Sequence, residues 1–239
     1  MWWVLQSAAR RVTTWPGGAM SRAFSRKADH PSRREFGLMS RLDELRLSAG
    51  TSFIERQLDP NDTLLFVTRG SVEVAHHGET AVRVNAGAFV AVTSVAGESL
   101  HLEVADGPDA RLFRVVLPGA VEASQAPRPF APIGRDNRLE TIASWAGARG
   151  GLSLTNDVLI RWGRLQVGSA VRVRTRRGRM AWLQVISGAV RADQTSLSEG
   201  DGAAIEGAGD VLVYANEAAE LIVIELEDPG ERLLWNGDG

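Results

Sequence analysis

Few side chains in this sequence can do acid–base or metal chemistry. Histidine occurs four times, as His30, His76, His77 and His101, and cysteine does not occur. Any imidazole site must draw on those four. Disulfides, thiolate zinc sites, iron–sulfur clusters and cysteine nucleophiles are excluded. In LHLEV, His101 and Glu103 stand two residues apart, a spacing that puts both on one face of a strand. On a half-exposed strand the same spacing is plain alternation. His76 and His77 lie in HHGE, near a hairpin end. Adjacent strand residues face opposite ways, so at most one of the two points inward; the pair reads as a polar turn, the alternative being that one of them serves as a metal ligand. The stretch AVRVRTRRGR carries Arg172, Arg174, Arg176, Arg177 and Arg179. It could meet an anion, but its alternation reads as a strand with a solvated arginine edge, which also discourages aggregation. No nucleophile elbow, phosphate-binding loop, H-E-x-x-H motif or paired-carboxylate motif is present.

The elements that must position these residues are strands. From Phe36, runs such as FGLMSRLDELRLSAG, TLLFVTRGSVEVAHHG, AVRVNAGAFVAVTSVAG, LHLEVADG and ARLFRVVLPG follow one another. Each is rich in Val, Leu and Phe and closed by Gly, Pro or Asp, the pattern of an all-β sandwich or barrel. Residues 118–137 hold four of the nine prolines and little periodicity, and read as a linker. The β texture then returns in VLIRWGRLQVG, AVRVRTRRG, AWLQVISGAVRAD, GDGAAIEG, DVLVYANE and AELIVIELED. ETIASWAG is the best candidate for a short helical segment. The first residues, MWWVLQ, read as a strand, because the basic pair Arg10–Arg11 follows the apolar run where a secretory signal would place it first.

Composition narrows the classes. The chain has 239 residues, 44% hydrophobic and 23% charged, with 27 Lys+Arg against 29 Asp+Glu. That length allows one large domain or two small ones. The charge balance argues against a general nucleic-acid or polybasic membrane partner. No apolar run of membrane-spanning length exists, so a soluble, cytoplasmic protein is expected. Trp145, Trp162 and Trp182 fall where packing is expected.

The two halves look alike. LLFVTRGSVEV (64–74) parallels WLQVISGAVRA (182–192), NAGAFVAV (85–92) parallels SEGDGAAI (198–205), and RLFRVVLP (111–118) parallels LIVIELED (221–228). A duplicated small β-barrel is the natural reading.

These blocks resemble the cupin barrel, and more specifically the pirin family of bicupins. RMAWLQVISGAVRAD and LSEGDGAAIEGAGDVLVYANEAAELIVIELED look like the C-terminal pirin cupin, and AFSRKADHP is similar to the family's N-terminal arm. The resemblance runs from about Ala23 to Asp228. Within the first 20 residues, TTWPGG is similar to a different cupin-like family of histidine-utilisation proteins. The resemblance implies an all-β fold of two cupin-type barrels: residues 1–120, a linker over 121–137, and residues 138–239.

Metal-binding pirins hold an iron-type divalent metal in the first barrel, on a His-x-His strand and a facing His-x-Glu strand. The resemblance places His101 and Glu103 at the second pair. At the first pair it places Arg56 and Leu58, neither of which offers a lone pair to a metal. Two ligands are too few for a tight site. The expectation is a pocket of Arg56, Leu58, His101 and Glu103, in which Arg56 pairs with Glu103 in place of a metal. The resemblance then implies a non-catalytic binding or regulatory bicupin with a degenerate metal site and no cofactor, taking a small molecule or a protein partner. The alternative is a quercetin 2,3-dioxygenase-type oxidoreductase using iron or another divalent metal.

Overall fold

The structure is a computed structural model and describes residues 2–5, 11–25, 39–105, 107–119 and 125–228. The arm around His30 lies outside them. The strands of the first half are β1 (Trp2–Leu5), β2 (Arg11–Trp15), β3 (Gly18–Ser25), β4 (Arg41–Leu47), β5 (Thr51–Arg56), β6 (Asn61–Arg69), β7 (Ser71–His76), β8 (Val82–Asn85), β9 (Phe89–Ser94), β10 (Ser99–Val104) and β11 (Ala110–Pro118). Those of the second half are β12 (Gln125–Phe130), β13 (Glu140–Trp145), β14 (Leu152–Leu154), β15 (Leu159–Leu165), β16 (Ala170–Thr175), β17 (Arg179–Ser187), β18 (Ala189–Ala192), β19 (Thr195–Ser198), β20 (Gly202–Glu206), β21 (Gly209–Ala215) and β22 (Ala219–Glu227). There is no helix among the described residues, and none is long and apolar enough to cross a membrane.

The strands form two barrels of matching design. In the first, a large sheet of order β12-β9-β6-β11-β4-β3-β2 faces a small sheet β5-β10-β7-β8. In the second, the order β1-β20-β17-β22-β15-β13 accompanies β16-β21-β18-β19. The duplication read from the sequence is therefore physical. The hairpin glycines match: Gly70 joins β6 to β7 and Gly188 joins β17 to β18, with φ of 71° and 76°. At both, an added Cβ would meet a backbone carbonyl just before the facing strand, that of Asp109 before β11 and that of Ala218 before β22.

Two segments cross between compact units. One unit comprises residues 10–132 and 145–156, the other 1–9, 133–144 and 157–239. The contiguous division at 1–120, 121–137 and 138–239 does not describe them. β1 pairs with β20, Trp2 opposite Ile205 and Leu5 opposite Gly202. It does for the second barrel what β12 does for the first, where β12 pairs with β9. Part of the expected linker is thus a strand. Its prolines, Pro127 and Pro129, are tolerated because β12 lies at a sheet edge, where missing N–H donors cost no ladder bond. ETIASWAG, expected as a helical turn, is β13, paired with β15. Within it Ile142, Ala143 and Ser144 are buried, and Trp145 is 57% exposed instead of packed; Trp162 and Trp182 are buried as expected.

The interiors differ. The second barrel is filled by an apolar cluster that includes Leu165, Val173, Leu183, Val185, Val190, Val213, Leu221 and Val223. The first is apolar at one end only, around Leu45, Leu65, Val67, Val74, Leu102 and Leu112. Its other end is polar.

Candidate functional site

Alternation decides which residues reach that polar end. On β10, Leu100, Leu102 and Val104 are buried, so His101 and Glu103 take the opposite face, His101 partly exposed and Glu103 exposed. On β5, Phe53 and Glu55 are the more buried positions and Ile54 and Arg56 are exposed. Beyond the strand Gln57 is buried and Leu58 is 78% exposed. The expected pocket of Arg56, Leu58, His101 and Glu103 is not assembled. Arg56 lies opposite Ser99, whereas Glu103 lies opposite Ser52. Four residues along a ladder is about 13 Å at roughly 3.3 Å per residue, well beyond an ion pair. The reason is parity on both strands: Arg56 on β5 and His101 and Glu103 on β10 fall at outward positions, and a one-residue difference exchanges the face of every side chain.

The inward residues still build an arginine–carboxylate cluster. Arg114, at the centre of β11, is fully buried. It stands opposite Asp43 on β4. Its Nε and Nη2 both donate to Asp43 Oδ2, the former at 3.1 Å. Its Nη1 donates to Glu55 Oε2 at 2.7 Å. Arg41 Nη1 donates to Glu55 Oε1 at 2.6 Å. A chain of neutral groups continues the network: Gln57 Nε2 donates to Glu55 Oε2 at 3.3 Å, Asn61 Nδ2 to Gln57 Oε1 at 2.8 Å, and Thr63 Oγ1 to Asn61 Oδ1 at 3.0 Å.

The TTWPGG segment covers this cluster. It forms the β2–β3 hairpin, with Trp15 opposite Gly18 and Gly17 at φ 86°. Trp15 packs on Phe53 at 5.6 Å between ring centroids. Phe53 in turn lies under the Arg114 guanidinium at 5.4 Å, a cation–π contact in a desolvated setting. Met20 Sδ approaches Arg114 Nη2 at 3.7 Å.

The charges are coupled. Burial raises the proton affinity of Glu55, but Arg114 and Arg41 beside it reverse the effect and hold its carboxyl below the usual glutamate range. Glu44 behaves alike: burial raises it, and hydrogen bonds and charge from Arg111 and Arg46 bring it below that range. Burial alone would lower the Arg114 pKa, and Asp43 and Glu55 raise it instead. A carboxyl depressed on folding stabilises the native state at pH values above the unfolded glutamate pKa. That stabilisation is lost as pH falls through the folded value. Urea unfolding at pH 7, 5, 4 and 3 is thus expected to show a falling midpoint across the acid range. Glu55→Gln should flatten the fall, and an unchanged slope would contradict the coupling.

The donor set does not fit a divalent metal. The Glu55 and Asp43 lone pairs are taken by guanidinium N–H groups, arginine supplies none, and two fixed positive charges stand at the centre. A dication there would meet Arg114 and Arg41 before any free ligand.

A second feature lies at the rim of the same barrel. A cleft of about 570 Å³ is lined by Ile54, Ala75, His76, His77, Ser99 and His101, among others. All three described histidines border it. His76 is 1% exposed and faces the same side of the small sheet as Glu55, with Leu100 between them. Its pKa is lowered, chiefly by burial, with His77 adding to the lowering and Glu98 and Glu79 opposing it. The sequence reading of HHGE as a simple polar turn missed its partner, Glu98, which lies in the β9–β10 connection and has no motif to mark it.

Comparison with known proteins agrees with this architecture. Residues 141–226 match the family of quercetinase C-terminal cupin domains. No curated protein sequence matches the chain. Among solved structures the chain is similar to YhhW from Escherichia coli, with a TM-score of 0.83 at 17% identity over 95% of this chain and 97% of that one. YhhW, a bacterial pirin, is also known in complex with nickel(II). A quercetin 2,3-dioxygenase from Acinetobacter baumannii superposes with a TM-score of 0.72 at 16% identity, over 99% and 94% of the two chains. HutD from Pseudomonas fluorescens gives 0.58 at 12% identity, over 95% and 100%.

Proposed function

We propose that this chain, a bicupin of the pirin fold whose second cupin belongs to the quercetinase C-terminal cupin family, works as a binding or regulatory protein and not as a metal-dependent dioxygenase. The observation that carries the reading is the interior of the first barrel. Where the resemblance leads one to expect metal ligands, a fully buried arginine is held by two carboxylates, Asp43 and Glu55. Cleavage of a flavonol ring by O₂ needs a redox metal with open coordination positions, and this cluster offers neither free donors nor an open centre.

The second barrel supports the same reading. Leu65 faces Arg114 across β6–β11, and Leu183 faces Val223 across β17–β22. Val223 therefore occupies in the second barrel the place of Arg114 in the first. Its surroundings are apolar.

The test is activity. Protein purified from cells supplemented with iron, manganese, nickel or copper is assayed for O₂ uptake with quercetin. No turnover above the free-metal background is expected with any of the four. Stoichiometric turnover that is abolished by Glu55→Gln, in a variant shown to be folded, would overturn the proposal in favour of the dioxygenase.

A further inference from the structure

We propose that the first barrel captures a late first-row divalent cation where His76, on the wall of the rim cleft, meets the buried Glu98 behind it, with these two as fixed ligands and His77 as the ligand that closes on the ion. Three observations carry this.

The first is an orphaned atom. His76 Nε2 is buried without a hydrogen-bond partner, although it stands 3.2 Å from Glu98 Oε2. A buried imidazole nitrogen beside a carboxylate would ordinarily form a charge-assisted hydrogen bond. Here the distance suits one and the alignment does not. Zinc–nitrogen and zinc–oxygen bonds of about 2.0–2.2 Å place tetrahedral neighbours about 3.4 Å apart. The separation of Nε2 and Oε2 is thus close to that of two atoms sharing one ion.

The second is the fixing of the carboxylate. Glu98 is buried. Its Oε2 accepts the Val95 N–H at 2.8 Å. Its backbone carbonyl accepts the Gln57 N–H at 2.8 Å, and the Gly97 N–H returns to the Gln57 carbonyl at 2.8 Å. Such a ligand is preorganised, which is what separates a site from a chance cluster.

The third is the backbone of His77, whose φ is 44°. Left-handed geometry is uncommon for a residue other than glycine. It releases His77 from strict strand alternation, so that two consecutive imidazoles address one carboxylate. His77 Nε2 lies 4.0 Å from Glu98 Oε1, and its side chain is 67% exposed. Among the described residues no three donors are already gathered into a coordination shell. Two are in place, and the third sits on a side chain free to turn inward. Two imidazoles and one carboxylate suit Zn²⁺, Ni²⁺ or Cu²⁺ over Mg²⁺ or Ca²⁺, with the open side of the cleft left for water or a small anion.

The experiment is isothermal titration of zinc chloride and nickel chloride into the full chain after chelator treatment, with histidine imidazole resonances followed by NMR. One ion per chain is expected, moving the His76 and His77 signals together. His77→Ala, on an exposed side chain, is expected to retain the fold by circular dichroism and to weaken binding at least tenfold. Glu98→Gln should weaken it as much. Absence of stoichiometric binding, binding that His77→Ala leaves unchanged, or binding that is lost in His101→Ala but kept in His77→Ala would each overturn the proposal. The outcome is separate from the oxygenase assay: turnover with quercetin decides the function proposed above, whereas the His77 dependence of binding decides this site.

Discussion

Arg114→Met is expected to lower the unfolding free energy by about 3–5 kcal/mol, the range for removing one partner of a buried ion pair. Arg114 and its partner Asp43 are fully buried, and its other partner, Glu55, has a side chain 20% exposed. Asp43 would remain in the interior with no exposure, facing a thioether. The carboxylates' remaining escape is to take up protons, so the variant should be most damaged at neutral pH and less so in mild acid. A triple variant, Arg114→Met with Asp43→Asn and Glu55→Gln, removes the stranded charges and should recover a substantial part of the loss. Urea unfolding of the single and triple variants measures both. A single-variant cost below about 1 kcal/mol, the size for exposed pairs, would show that water reaches the cluster.

The second large effect is expected at a glycine. A Cβ at position 188 would stand 2.1 Å from the Ala218 carbonyl oxygen and 2.9 Å from Ala219 Cα, all backbone atoms. With φ at 76°, an alanine there bears the left-handed penalty of about 1–2 kcal/mol. It also forces the β17–β18 hairpin away from β22, an overpacking cost of about 1–3 kcal/mol. Gly188→Ala should therefore cost about 3 kcal/mol. Gly207 isolates the first component: its φ is 83° and nothing lies within 4 Å of an added Cβ. Gly207→Ala should cost about 1 kcal/mol. Equal losses in thermal or urea unfolding would mean that the carbonyl contact is relieved at no cost.

These same glycines explain why the duplication was legible. A residue that must be glycine for backbone reasons leaves a fixed mark, and Gly70 and Gly188 carry one in each barrel. Period-two alternation likewise gave β7, β10 and β16. The candidate site was less legible because it depends on parity. The interior arginine–carboxylate cluster is not the expected pairing of Arg56 with Glu103. It is built from Arg114, Asp43 and Glu55, because β5 presents its odd-numbered residues inward. Arg114 itself sits in RLFRVVLP, an apolar run that offers no alternation to mark one residue as inward. Its pairing partner across β4, Asp43, is 71 positions earlier, and no local pattern joins them. Glu98 and the left-handed His77 were hidden for the same reason: each belongs to a turn whose shape is set by tertiary contacts. ETIASWAG shows the opposite failure, since an apolar stretch too short to reveal its period was settled by pairing with β15.

The exchange of segments between the two units has a consequence for synthesis. β1 leaves the ribosome long before its partner β20, with Trp2 opposite Ile205. At about 5–20 residues per second, roughly 10–40 s separate the two strands. The first unit in turn waits for residues 145–156. Neither barrel can be finished in the order in which it is made, and closing so long a loop delays the contacts that reward it. During that interval β1 is a free strand whose backbone donors and acceptors are unpaired, open to capture by another nascent chain. A chaperone that shields short apolar segments would act at the very step the topology leaves exposed.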